Sequence, residues 1–188
     1  ASLHEEVLAI ARAAKDASAG LAQTSGEARD AALREMARSL RDNASSILEA
    51  NARDVAAARK RGTKESLVDR LALSPERIEG MARALEDVAD LPDPLGRVLE
   101  HRVLESGIDL ARVSVPLGVV AVIYEARPNV TADAAGICLK SGNACVLRGG
   151  SLAAASCAAI VRVLDAAATR AGMPEGAIGI VESTDRAA

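Results

Sequence analysis

Apolar positions recur at helical spacing through the first ninety residues and collapse into short unbroken runs over the last seventy. Near the start, Val7, Ile10, Ala11 and Ala14 fall on one face at i, i+3, i+4 and i+7, which predicts a first helix. A second begins at the capping-box pattern Thr24-Ser25-Gly26-Glu27 and repeats the spacing with Leu33, Met36, Ala37 and Leu40. A third runs through "ANARDVAAARKR" and stops at Gly62, with basic residues in its last turn as the helix dipole favours. In the last, Ser74 caps, Pro75 takes the first turn, and Ile78, Met81, Ala82, Leu85 and Val88 form the stripe until "LPDP" at 91–94 ends it. By itself this front part, residues 1–94, reads as a packing layer without chemistry.

Residues 95–115 break the pattern. Two β-rich stretches in "RVLEHRVLESGIDLARVSV" flank the turn dipeptide Ser106-Gly107, so a hairpin is predicted. A lone projecting hairpin is marginal unless it packs on something, which points to a partner subunit. His101 lies on it and reads as a surface or packing residue.

From 116 to 188 the pattern becomes α/β. Val119 to Tyr124 is continuously apolar, as expected for a parallel strand covered on both faces. A helix over 131–141 closes at Gly142, and "ACVL" at 144–147 makes the next strand. "LAAASCAAIVRVLDAAATRA" forms a long helix, and "AIGIV" at 177–181 a third strand. Right-handed crossovers make the three strands neighbours in one incomplete, Rossmann-like parallel sheet.

Charge follows the same division. Residues 1–90 carry 30 charged side chains and residues 116–188 carry 12, consistent with wet-faced helices in front and elements buried on both sides behind. Phe and Trp are absent and Tyr124 is the only aromatic, so the core is built by close packing of aliphatic volume. The same lack removes the stacking platforms that single-stranded nucleic acid needs, and a net charge of −3 offers no basic field for a duplex. No window reads as a signal peptide or membrane span, and three cysteines without a Cys-x-x-Cys pair suggest reduced thiols. A soluble cytoplasmic protein is expected, with no nucleic-acid, membrane or metal partner.

Candidate chemistry sits where the strands end. Ligands of open parallel sheets bind at the carboxyl edge, here shared by loops 125–129, 148–151 and 182–186. Arg148 brings a fixed positive charge, Gly149 and Gly150 remove Cβ atoms from a ligand's path, and Ser151 is placed to cap the following helix, whose free amides favour an anion. Ser183 and Thr184 come from the third loop. Neither the dinucleotide glycine fingerprint nor a P-loop is present, and a Gly-Gly turn also serves as a plain tight connection. The residues alone reach a nucleotide or another anionic small molecule.

The run "PLGVVAVIYEARPNVTADAAGICLKSGNACVLRGGS", with "GMPEGAIGIVESTDRAA" after it and "LVDRLALSPERIEGMARALEDVADLPDPLG" before it, resembles the gamma-glutamyl phosphate reductase (glutamate-5-semialdehyde dehydrogenase) family. That family is a branch of the aldehyde dehydrogenase superfamily. The resemblance implies an aldehyde-dehydrogenase-like fold and NADPH-dependent reduction of L-glutamyl 5-phosphate to glutamate 5-semialdehyde and phosphate, a step of proline biosynthesis. A homodimer is expected from the unpartnered hairpin, and the resemblance adds a functional coupling to glutamate 5-kinase. In the superfamily a strand ending in Lys-Pro-Ser-Glu holds the adenosine ribose; here Arg148 replaces the lysine and Ser151 the glutamate. A neutral residue 151 beside a fixed cation suits the 2′-phosphate of NADP. Asn129 matches the asparagine that stabilises the oxyanion, and Arg127 and Lys140 are candidates for the substrate's phosphate or carboxylate.

In this family a cysteine thiolate attacks the acyl phosphate and gives a thioester that accepts hydride. The matching cysteine falls downstream of these 188 residues. Cys138, Cys145 and Cys157 lie among small apolar neighbours and read as buried structural thiols, so the chain is expected to be inactive alone. Two other readings remain: another superfamily member acting on a free aldehyde, and a non-catalytic nucleotide-binding or scaffolding module.

Overall fold

The computed structural model describes residues 2–125, 127–185 and 187. Five helices come first: α1 (Leu3–Leu21), α2 (Gly26–Asp42), α3 (Ala44–Lys60), α4 (Glu65–Leu71) and α5 (Pro75–Asp90). The hairpin β1 (Val98–Val103) and β2 (Asp109–Val113) follows, then β3 (Val119–Ile123), α6 (Pro128–Lys140), β4 (Ala144–Arg148), a 3-10 turn (Ser151–Ala153), α7 (Ala154–Arg170) and β5 (Ile178–Ile180).

The stripe of α2 is buried as read, with Leu33, Met36, Ala37 and Leu40 fully covered by α5 and α7. Its cap is displaced by one residue. Ser25, not Thr24, accepts from the Ala28 amide at 3.1 Å, and the Thr24 hydroxyl donates back to the Leu21 carbonyl at 2.7 Å. In α1 the buried face is Ala14, Ala17, Ser18 and Leu21; Ala11 points to solvent. Ser74 and Pro75 start α5 as expected, the Ser74 hydroxyl accepting from the Arg77 amide at 3.2 Å.

α4 is an element the periodicity reading did not find. Its seven residues are too few to establish a repeat, yet Val68 and Leu71 anchor it against α3. Asn51 on α3 fixes the exit of α4: its amide donates to the Leu71 carbonyl at 2.9 Å and its carbonyl accepts from the Leu73 amide at 2.7 Å.

The second sheet is parallel with order β3-β4-β5. Both crossovers step the same way, so right-handedness puts α6 and α7 on one face, where they touch, and leaves the other to α1. Central β4 is sealed, with Ala144, Cys145 and Leu147 inaccessible. The expectation of a two-sided cover fails for β3, where Ala121 and Ile123 are exposed, Ile123 at 76%. β3 borders this sheet, and a continuously apolar sequence does not say which of its faces is covered.

The hairpin forms as read. Leu104 donates to the Ile108 carbonyl at 2.9 Å around a turn in which Gly107 has φ +84°, a conformation that favours glycine. Every residue of both strands is exposed. His101 contacts Asp109 across the strands at 2.5 Å, a surface pair. The stretch Ser151–Arg170 is apolar and long enough to cross a membrane by composition, but half of it is buried inside the protein, as befits a core helix.

Candidate functional site

The sheet's hydrogen-bond ladder continues past the strands and draws three loops together. The Tyr124 amide donates to the Arg148 carbonyl at 3.1 Å, and the Val181 amide to the Leu147 carbonyl at 2.9 Å. The Arg148 guanidinium then reaches sideways and donates to the Asp185 carbonyl. A cleft of about 380 Å³ opens on this rim, lined by Arg148, Gly149, Gly150, Ser151 and Thr184 together with Tyr124 and Glu125. Five of the six residues predicted to meet a cofactor therefore share one wall. The sixth, Ser183, does not line it; its hydroxyl accepts from the Asp185 amide at 3.2 Å and shapes the loop.

The reasons for two of these residues differ from the sequence reading. A Cβ on Gly149 would stand 2.9 Å from the Cys157 sulfur and 3.5 Å from Tyr124 Cε2, so the glycine is demanded by packing beneath the cleft. Tyr124 is itself pinned there, its hydroxyl 2.7 Å from that of Thr131, and burial raises its phenol well above the usual range. Ser151 does not cap the long helix. It opens the 3-10 turn, and no side chain of the turn or of residue 153 caps α7. That task falls to Asp54 on α3, whose carboxylate accepts from the Ser156 amide at 2.8 Å and the Ser156 hydroxyl at 2.6 Å. The positive end of α7 thus holds an internal anion, and a ligand phosphate on this rim must rely on Arg148 and loop amides.

The remaining candidates separate from this cleft. Arg127 and Asn129 line a second cavity of about 550 Å³ with Arg70, Arg77, Met81 and Asp133. The turn after β3 and helix α4 divide the two spaces. Tyr124, Glu125 and Leu67 face the first, whereas Arg127, Asn129 and Arg70 face the second. Asn129 Nδ2 lies 3.4 Å from the Asp133 carboxylate.

Lys140 belongs to neither, and the substrate role expected of it is corrected. It is 4% exposed, with its ammonium on Asp30 at 2.6 Å and the Ala89 carbonyl at 3.0 Å. Beside it, Arg29 donates to the Lys140 carbonyl at 3.1 Å and grips both oxygens of Asp93 at 2.8 and 2.7 Å. The basic last turn of α6 is a structural joint between α2 and α5. The three cysteines are buried and free, and none lines either cavity. Its hydrogen bond with Cys138, followed by burial, pushes the Cys145 thiol up, and burial pushes up that of Cys157.

Sequence reading missed Glu125, Arg70, Asp133 and Asp54. Glu125 and Asp133 flank motif residues it did single out, whereas Arg70 and Asp54 become visible only once α4 and α3 are docked on the sheet.

Comparison with known proteins agrees with this architecture. The aldehyde dehydrogenase family matches residues 1–188. A gamma-glutamyl phosphate reductase of Caldanaerobacter subterraneus subsp. tengcongensis is 50% identical over 181 residues, covering 96% of this chain and 44% of that protein. One of Erythrobacter litoralis is 51% identical over 178 residues, covering 94% and 42%. The crystal structure of the gamma-glutamyl phosphate reductase of Thermotoga maritima superposes with TM-score 0.94 at 43% identity, over 97% of this chain and 44% of that one. The chain thus spans less than half the length of the relatives it matches. With a parallel sheet, a flanking hairpin and a family match along its whole length, the chain belongs to the aldehyde dehydrogenase family, and the relatives half-identical to it are gamma-glutamyl phosphate reductases.

Proposed function

We propose that this chain supplies the cofactor cleft and part of the substrate cavity of an NADPH-dependent reductase that converts L-glutamyl 5-phosphate to glutamate 5-semialdehyde in proline biosynthesis. The observation that carries the reading is the convergence of Arg148, Gly149, Gly150, Ser151 and Thr184 on one cleft at the carboxyl edge of a parallel sheet. Arg148 is half-exposed and held toward the third loop by the Asp185 carbonyl, which leaves its remaining donors for the 2′-phosphate of NADP. Ser151 puts no carboxylate against that phosphate. NADPH, when bound, supplies the reducing equivalent.

Asn129 stands in the neighbouring cavity, where its amide could stabilise a developing oxyanion, and Arg127 offers a charge to the substrate's phosphate or carboxylate. The nucleophilic thiolate is not among Cys138, Cys145 and Cys157, which are buried away from both cavities. It is supplied from outside these 188 residues, and turnover of glutamyl phosphate by them alone would refute this. The exposed hairpin, with Val98, Val103, Ile108 and Leu110 open to solvent, serves as a subunit contact of a homodimer; a monomer at micromolar concentration in sedimentation would count against it.

The test of the reaction is the reverse assay in the reductase that carries this segment. Oxidation of the semialdehyde by NADP should require inorganic phosphate, and phosphate-independent oxidation would favour an enzyme of free aldehydes.

A further inference from the structure

The second cavity contains more charge than an oxyanion asparagine explains, and its charges can be sorted by their partners. Asp69 and Arg77 satisfy each other at 3.2 Å, and Arg77 donates further to the Asp69 and Ala72 carbonyls. Three groups are left over. Neither the Arg70 nor the Arg127 guanidinium has a hydrogen-bond or ion-pair partner among the described residues. Asp133 has only the Asn129 amide, at the long distance of 3.4 Å. Asp133 is half-buried on α6 with no cation against it among the described residues, and burial pushes its carboxyl up. Between these charges the wall is apolar, formed by Ala72, Leu73, Met81 and Ala84.

A simple anion would answer the two arginines and leave Asp133 facing a like charge. A simple cation would do the reverse. A ligand carrying both signs on adjacent atoms, followed by a short hydrocarbon stem, answers all three and covers the apolar wall. We infer that this cavity seats the zwitterionic head of an α-amino acid, with Asp133 receiving the ammonium and Arg70 and Arg127 flanking the α-carboxylate. This rests on the proposed reductase reading for the identity of the stem and deepens it by assigning specificity to Arg70 and Asp133. The seat neighbours the cofactor cleft: Leu67, Tyr124 and Glu125 line the cleft, whereas Arg70, Arg127 and Asn129 line the seat.

The inference is tested by calorimetric titration of this chain with three probes: L-glutamate, glutarate, which lacks the α-ammonium, and 4-aminobutyrate, which lacks the α-carboxylate. L-Glutamate should bind about three- to tenfold tighter than either analogue, the effect of one charge-assisted contact at a partly exposed site. Asp133→Asn should abolish the advantage over glutarate, and Arg70→Gln the advantage over 4-aminobutyrate. No preference in the wild type, or the same ratios in both variants, would overturn the inference. A parallel NADPH titration separates the two readings. NADPH binding without amino-acid discrimination leaves the cofactor assignment standing and removes this one; discrimination without NADPH binding does the opposite.

Discussion

The Asp54 carboxylate accepts hydrogen bonds from both the backbone amide and the hydroxyl of Ser156, at 2.8 and 2.6 Å, and so closes the start of α7 with a side chain more than a hundred positions away. Asn51 adds a third link, its amide donating to the same Ser156 hydroxyl at 3.0 Å. Helix α4, which borders both cavities, is therefore tied to α7 through α3. Asp54→Ala should cost about 1–2 kcal/mol, the value of a lost cap plus the hydrogen bond lost by a buried hydroxyl. Urea unfolding measures it, and an unchanged midpoint would contradict the assignment.

Gly149 predicts a repairable clash. Gly149→Ala drives a methyl to 2.9 Å from the Cys157 sulfur and should destabilise by about 1–3 kcal/mol. Adding Cys157→Ala vacates that sulfur, so the double variant should be more stable than the sum of the two single losses. Additive losses would show that the glycine is required by something other than packing.

Lys140 and Asp30 make an asymmetric pair. Asp30→Ala leaves a lysine side chain that is 6% exposed, its ammonium with only a carbonyl partner, and should cost toward the lower end of the roughly 3–5 kcal/mol typical of a broken buried pair. Lys140→Met removes the charge and should cost less. Neither should alter NADPH affinity; a selective loss of amino-acid binding in Lys140→Met would restore its substrate role.

The clamp between α2 and α5 carries an acid dependence. Arg41 bonds Glu79 at 2.8 Å and Glu86 at 2.5 Å, and Arg83 adds a second contact to Glu79. The Arg41 and Arg83 guanidinium groups lower the Glu79 carboxyl from 4.5 to about 2. A carboxylate depressed on folding contributes stability that is complete above its unfolded value and is lost as pH falls through the folded one. The fold should therefore weaken between about pH 4.5 and pH 2, and Arg41→Ala should flatten that part of the profile in thermal melts. An unchanged slope would show the clamp to be screened by solvent.

How much of this was legible follows from how local each feature is. The stripe Leu33, Met36, Ala37 and Leu40, the Ser74-Pro75 start and the Ser106-Gly107 turn depend on residues within a few positions of one another, and periodicity and turn chemistry reach them. The rim of Arg148, Gly149, Gly150, Ser151 and Thr184 follows from strand order, because a parallel sheet aligns its carboxyl ends. Lys140 was misplaced for the complementary reason. Its burial depends on Asp30 and Ala89, on helices 110 and 51 positions away, and a basic helix end looks the same whether it faces solvent or a partner. Short α4 and its Arg70 escaped because seven residues carry too little pattern.

The central claim is that the cleft beneath Arg148 receives the 2′-phosphate of NADP. Its most direct measurement is an equilibrium titration of the chain with NADPH and NADH, comparing wild type with Arg148→Ala. The account predicts that wild type prefers NADPH and that the variant loses about tenfold in NADPH affinity, close to 1.4 kcal/mol, while NADH binding barely changes. Equal weakening of both cofactors, or no change in either, would contradict it.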